Sequence, residues 1–358
     1  KKTKMDNLLS SPKAKESSKT LKLAIFGSLF GLVCLAGVFV AFSSPSISNS
    51  ALSQFELEEQ EFRNYISKYS KSYNVDQYVE RFRVFRDNLG FIRAQNSLGN
   101  TWVLGVNQFT DLTPQEFKAK YLHSKIEVPA ANLQSAETPF VGAAPAAIDW
   151  RAQGAVTPVG SEGDCASDYA FASVGAVEGI WKISGNTLTV LSEQEIVDCT
   201  YSYGDKGCNG GFIDHAYEFI KDKGLTSAQL YPYTGQNGKC NENAVGREIV
   251  KTTGYVPVSA NNPTDLQFRV ATQPVSVYVE ANNYVWQYYQ GGVITKNCGT
   301  ELNHAVLIVG YNTTSTPSYW IVKNSWGQTW GENGYIRIAN TAGSGVCGIN
   351  MSPSYPTL

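Results

Sequence analysis

Neither sign of charge dominates this 358-residue chain, in which 29 Lys and Arg face 31 Asp and Glu for a formal net charge of -2. That balance supplies no basic field for a nucleic acid and no strong electrostatic steering of charged partners. Internal repeats are absent, which excludes solenoid and propeller arrays. Low-complexity sequence is confined to a short Ser/Lys-rich run at the start. No set of residues has metal-ligand spacing, so neither a metal nor another cofactor is expected. Cysteine is sparse. Of seven, Cys34 lies in an apolar run, and Cys165, Cys199, Cys208, Cys240, Cys298 and Cys347 all follow residue 160. Six cysteines in an exported domain predict three disulfides and leave no free thiol there.

The longest apolar run, residues 23–42, carries no charge and is long enough to cross a hydrocarbon layer of roughly 30 Å. Lys1, Lys2, Lys4, Lys13, Lys15, Lys19 and Lys22 precede it, against only Asp6 and Glu16. The positive-inside rule then predicts a cytosolic basic tail at 1–22, a signal anchor at 23–42 and a type II single-pass protein. Its soluble part would be lumenal or extracellular, in the secretory or endolysosomal pathway or at the cell surface. A cleaved signal peptide is the alternative, although such apolar cores usually run only about 7–15 residues. Sequons at Asn312 and Asn350 are compatible with export.

Residues 43–51 read as a linker. Over 52–98, Phe55, Phe62, Tyr65, Ile66 and Tyr69, then Tyr78, Phe82, Phe85, Leu89 and Ile92, recur at helical spacing. Thr113, Pro114 and Glu116 mark a helix start, with Pro at the first helical position and Glu placed to close a capping box. A connector rich in Ala, Pro and Ser follows at 123–143. Phe171, Val174, Val177 and Trp181 predict a helix from Asp168 to about Ser184. Beyond residue 250 the pattern turns to strands at 275–279, 305–309, 319–322 and 334–338. A helix-rich half followed by a strand-rich half predicts an α+β protein with two lobes and a cleft between them.

Three segments are more specific. Residues 149–159 read DWRAQGAVTPV; residues 191–199 read LSEQEIVDC and are followed by GCNGG at 207–211. Asn303, His304 and Ala305 precede KNSWG at 323–327 and WGENGY at 330–335. Over about 144–358 the chain resembles the papain family of cysteine proteases. The resemblance extends upstream to prosegments of the cathepsin L type, through Gln77, Arg81, Val84, Phe85, Asn88, Ile92 and Asn96, then Gly105, Asn107, Phe109 and Asp111. It implies a papain-like fold, with a helical left lobe and a barrel-like right lobe. It also implies an inhibitory prosegment at 52–143 that lies in the peptidase cleft.

Aligned without a gap, the family's nucleophile segment reads EGDCASDYAFA from Glu162 to Ala172. The resemblance puts Asp168 at the nucleophilic cysteine, His304 and Asn324 at the catalytic histidine and asparagine, and Glu162 at the oxyanion-binding glutamine. His304 follows Asp168 by 136 residues, within the family range of about 130–150. It further implies bridges Cys165–Cys208, Cys199–Cys240 and Cys298–Cys347. Gly210, Gly211, Phe212, Ile213, Leu302, Asn303, Ala305 and Trp326 would line or shield the cleft.

A carboxylate at Asp168 mimics the thiolate's charge beside His304. Its attack on a peptide would give an anhydride-forming adduct that collapses back to substrate, and an ionised Glu162 offers no donor to an oxyanion. These substitutions predict a hydrogen bond between Asp168 and His304. They also predict a catalytically inactive homologue, membrane-anchored or lumenal, that keeps its prosegment and acts as a binding or structural component with a protein or peptide partner. The alternatives are altered or residual hydrolysis, with Asp168 or Glu162 as general base, and a decoy or inhibitor of active relatives.

Overall fold

The computed structural model describes residues 49–123, 126 and 143–358. The expected basic tail and the anchor at 23–42 lie outside the described residues. Among the described residues no helix is long and apolar enough to cross a membrane. The chain enters α1 (Asn49–Lys68) inside what the sequence suggests is linker, and continues through α2 (Val75–Asn96), β1 (Trp102–Leu104) and α3 (Pro114–Tyr121).

Local chemistry sets these boundaries. Asn74 accepts from the Gln77 amide while Gln77 reaches back to the Asn74 amide, so the Gln that replaces the motif's acidic residue closes a capping box. Thr113 and Glu116 do the same for α3, with Pro114 at the first turn. Phe62, Tyr65, Phe82, Phe85 and Leu89 form the buried seam between α1 and α2. Arg81 makes a two-pronged pair with Glu116 at 2.6 and 2.8 Å, and the Asn88 amide donates to the carbonyls of Thr110 and Leu112. The motif residues thus tie the long helix to the loop ahead of α3.

After β2 (Ala147–Asp149), the first lobe is built on α4 (Asp168–Ile183), with α5 (Glu193–Cys199), α6 (Ile213–Lys223) and the short α7 (Glu242–Val245). Most of α4 is buried, from Asp168 through Gly179 except Phe171, and it forms the axis of an apolar cluster with Ile196, Val197, Tyr217 and Ile220. The second lobe contains β3 (Gly254–Pro257), α8 (Pro263–Thr272), β4 (Val275–Val279), α9 (Tyr284–Gln287) and β5 (Tyr289–Ile294). It is completed by β6 (His304–Asn312), β7 (Tyr319–Lys323), β8 (Tyr335–Ala339) and β9 (Ser354–Thr357).

The strands lie in the order β1-β5-β8-β7-β6-β4-β9-β3, with β2 also paired to β6. Only β5–β8 is parallel. The prosegment strand β1 adds to β5, where Trp102 faces Gly292, and a Cβ on that glycine would come within 2.6 Å of the Trp102 Cα. Disulfides join Cys165–Cys208, Cys199–Cys240 and Cys298–Cys347. The cleft therefore lies between the N-terminus of α4 and the start of β6.

Candidate active site

Asp168 opens α4, so its carboxylate sits where unpaired backbone N–H groups and the helix dipole favour an anion. His304 opens β6 on the other lobe. They meet at 2.8 Å between Asp168 Oδ2 and His304 Nδ1, and both are buried. Oδ2 also accepts from the Ala305 amide at 2.7 Å, and Oδ1 accepts from the Tyr169 amide at 2.7 Å. His304 Nε2 lies 2.8 Å from Asn324 Oδ1, whose orientation is set by the Ser325 amide donating to the same oxygen. Both ring nitrogens of His304 thus face acceptors. The Trp326 indole covers the ring, with centroids 4.7 Å apart and planes inclined by 26°.

A further group completes the site. Nε2 of His123, just past α3 in the prosegment, makes a very short contact with Asp168 Oδ1. Burial alone would push Asp168 up, but the charge and hydrogen bond of His123, followed by those of His304, hold it far below the usual carboxylate range. Burial alone would lower His123, and Asp168, with Asp205 adding to it, outweighs that and raises it. Sequence reasoning did not single out His123. The only signal available was an imidazole in a segment expected to cross an anionic site.

Glu162 is not a solvated carboxylate: it is 1% exposed, and burial followed by the Asp168 charge pushes it well above the carboxylate range. Both influences favour the protonated form. Its Oε1 accepts from Trp326 Nε1 at 2.7 Å and from Ser325 Oγ at 3.2 Å. Its buried Oε2 has no hydrogen-bond partner among the described residues. Protonated, the carboxyl carries a hydrogen donor, the capacity that an ionised side chain lacks.

The remaining cleft residues divide into a wall and a floor. Gly210 and Gly211 line a groove of about 100 Å³ with His123, Ile126, Lys206 and Phe212. Ile213, Leu302 and Ala305 are buried in the first-lobe cluster that Ile126 joins, with Phe212 packed against it. The Asn303 carbonyl accepts the His123 amide at 3.0 Å, and the Leu302 carbonyl accepts the Ile126 amide at 2.7 Å. The prosegment thus meets the cleft as an extended peptide would, through its backbone, and Ile126 takes the apolar position. Phe109 and Phe117 lie edge-on to Trp326 at 5.5 and 5.3 Å.

The two sequons do not share one environment. Asn312 ends β6 and is partly exposed, with its Oδ1 accepting from Thr314 and Ser315. Asn350 is fully buried and donates its amide to the carbonyls of Thr341 and Gly343, so the expectation of a glycan there is withdrawn. Among the described residues no cluster of three or more His, Cys, Asp or Glu could hold a metal ion.

Comparison with known proteins supplies the family. Residues 144–357 match the papain family cysteine protease, and residues 62–117 match the cathepsin propeptide inhibitor domain (I29). The thiol protease SEN102 of Hemerocallis is 43% identical over 336 residues, covering 91% of this chain and 93% of that protein. Cysteine protease XCP2 of Arabidopsis thaliana is 42% identical over 304 residues, covering 83% and 85%. The solved structure of a recombinant stem bromelain precursor superposes with a TM-score of 0.76 at 40% identity, covering 84% of this chain and 99% of that one. These relatives span nearly the whole chain and carry protease names. They overturn the expectation of an inactive, membrane-anchored or lumenal binding component, and no described helix supports the anchor.

Proposed function

This chain belongs to the papain family of cysteine proteases, and from that premise we propose that it is a protease zymogen whose hydrolytic step uses water in place of a thiol. The observation that carries the reading is the buried Asp168–His304–Asn324 chain at the head of α4. An imidazole and its orienting amide are kept, and a carboxylate lies at the position that the family resemblance assigns to the nucleophile.

Direct attack by Asp168 is unproductive, since the anhydride-forming adduct expels carboxylate more readily than amine. Departure of the prosegment would free Oδ1 of Asp168, where His123 now sits, for a water molecule. The water oxygen then bonds to the peptide carbonyl carbon while one of its protons passes to Asp168. The carbonyl oxygen becomes the oxyanion, and the Glu162 carboxyl in its protonated form is the donor proposed for it. His304 supplies the proton that the amine nitrogen needs as the C–N bond breaks. Asp168 remains a weak base after His123 leaves, because His304 and the Tyr169 and Ala305 amides still stabilise its anion, so the route is slow. Loss of the nucleophile in a serine protease costs about 10⁶-fold, which sets the scale.

The groove along 210–212 and 302–305 supports an extended peptide as substrate. Three disulfides support an oxidising compartment. Asn312 is the sequon proposed to carry a glycan.

The test is to insert a site-specific cleavage sequence between Ile126 and Ala143, remove the prosegment, and follow hydrolysis of a fluorogenic peptide. We expect slow turnover that is insensitive to a thiol-reactive epoxide and lost in His304→Ala. Asp168→Cys should gain several orders of magnitude and become epoxide-sensitive. Turnover equal to the His304→Ala background would sink the water route.

A further inference from the structure

Asp168 has a second partner that the hydrolytic chemistry does not use. The His123 ring is held against Asp168 Oδ1 with its side chain 9% exposed. Its backbone is fixed by Asn303, and that of Ile126 by Leu302. The opposite wall is cut away for the ring: a Cβ on Gly210, whose φ is +103°, would lie 2.4 Å from His123 Nδ1. A backbone rail, a glycine recess and a buried carboxylate at its base thus converge on one imidazole.

The charges around that imidazole are few. Asp168 faces it directly, with His304 on the far side of the carboxylate, and Glu162, whose carboxyl burial raises, senses the Asp168 charge. Asp205 lies farther off and is itself tied to His215 at 2.9 Å, while Lys206 stands in the groove wall. A buried carboxylate facing a neutral or apolar side chain would bear a desolvation penalty that a cationic donor relieves.

We propose that Asp168 makes this cleft a receptor for a cationic side chain, protonated imidazole above all, on an extended peptide segment, and that His123 of the prosegment is its resident ligand. The inference rests on the reading of the groove as a peptide-binding site and adds the class of side chain it selects. Because His123 is raised by its partner, the latch is complete below the ordinary histidine range. It is lost as pH rises through the raised value. Because Asp168 is held far below the carboxylate range, mild acid leaves the pair intact. This pair therefore tightens the prosegment in acid and loosens it in alkali.

The full chain tests this directly. It has three histidines, His123, His215 and His304, so nitrogen-15 imidazole signals can be assigned by single substitutions, with His215 as internal reference. Hydrogen-exchange protection at the His123 and Ile126 amides reports seating of the segment. We expect protection factors to fall about tenfold per pH unit above the His123 titration, which itself moves down in Asp168→Asn. His123→Leu, similar in bulk but neutral, should lose the pH dependence and most of the protection at pH 6. His123→Lys should restore protection and hold it to higher pH. Protection in His123→Leu equal to wild type, or a His123 titration unchanged by Asp168→Asn, would overturn the proposal. The readout is exchange and not turnover, so absence of hydrolysis would count against the water route alone.

Discussion

At the scale of single residues, two buried acids in one site are driven in opposite directions. Asp168 is surrounded by donors, two of them imidazoles, which hold its carboxyl low against burial; Glu162 accepts from one neutral indole and one hydroxyl, and burial raises it. Two carboxyls close enough to sense each other divide in this way when only one can be compensated. The division has a measurable consequence for stability. A carboxyl raised in the folded state contributes stability that is present below its ordinary value and is lost as pH rises above it, because the unfolded state then releases the proton more readily. Glu162→Gln keeps the shape and a donor but cannot ionise. The variant is expected to match wild type below the ordinary glutamate range and to exceed it by a margin that grows as pH rises above that range. Thermal melts across that range check this, and a pH-independent difference would contradict a protonated Glu162.

At the scale of elements, the same logic of satisfied buried groups explains why the prosegment motifs were readable. Asp111 is buried and accepts from the Tyr65 and Tyr73 hydroxyls at 2.6 Å each and from Lys71 at 3.1 Å. Replacing it with Ala leaves the Tyr73 hydroxyl without its acceptor, and Tyr65 and Lys71 with only the Gln108 carbonyl. A loss of about 3–5 kcal/mol is expected for the prosegment layer, as for other broken buried pairs, measurable by urea denaturation followed at the helical signal. Tyr65→Phe should cost less, about 1–2 kcal/mol, since the hydroxyl's contacts to Asp111 and the Gln108 carbonyl are lost while Asp111 keeps Tyr73 and Lys71.

Strongly periodic or motif-bound elements were legible from residues alone: α2 through its helical periodicity, α3 through its capping residues, β4 through VSVYV, and α4 through its apolar face. The short strands β1, β2 and β9 were not, because three or four residues carry no periodicity and exist only through partners distant in sequence. The site was legible where side-chain type carries chemistry, as at Asp168, His304 and Asn324. The burial of Glu162, which bears on its charge, was not legible, because sequence does not display it. His123 was missed for a related reason: nothing in a connector states what it will meet.

At the scale of the whole molecule, the question is whether the prosegment is a separable layer or part of the second lobe. Its helices α1 and α2 have their own aromatic seam, which would let them melt alone. Against that, Ile92, Trp102, Leu104, Phe109 and Phe117 belong to the same apolar cluster as β4, β6, β7 and β8. β1 extends the sheet through β5, and the Asn107 amide donates to the Gln287 carbonyl at 2.8 Å. Trp102 is 2% exposed in this shared core, and truncating such a side chain costs about 3–5 kcal/mol. If the core is continuous, Trp102→Ala must lower the stability of the second lobe as well as that of the prosegment, and both must still unfold together. Hydrogen exchange on β5 and on α2, read in the same denaturant series, should therefore report one shared midpoint that shifts in parallel in the variant. A midpoint for α2 that drops while β5 stays in place would mean that the prosegment rests on the lobe without sharing its core, and that its hold on the cleft depends on the His123–Asp168 latch and the backbone rail alone.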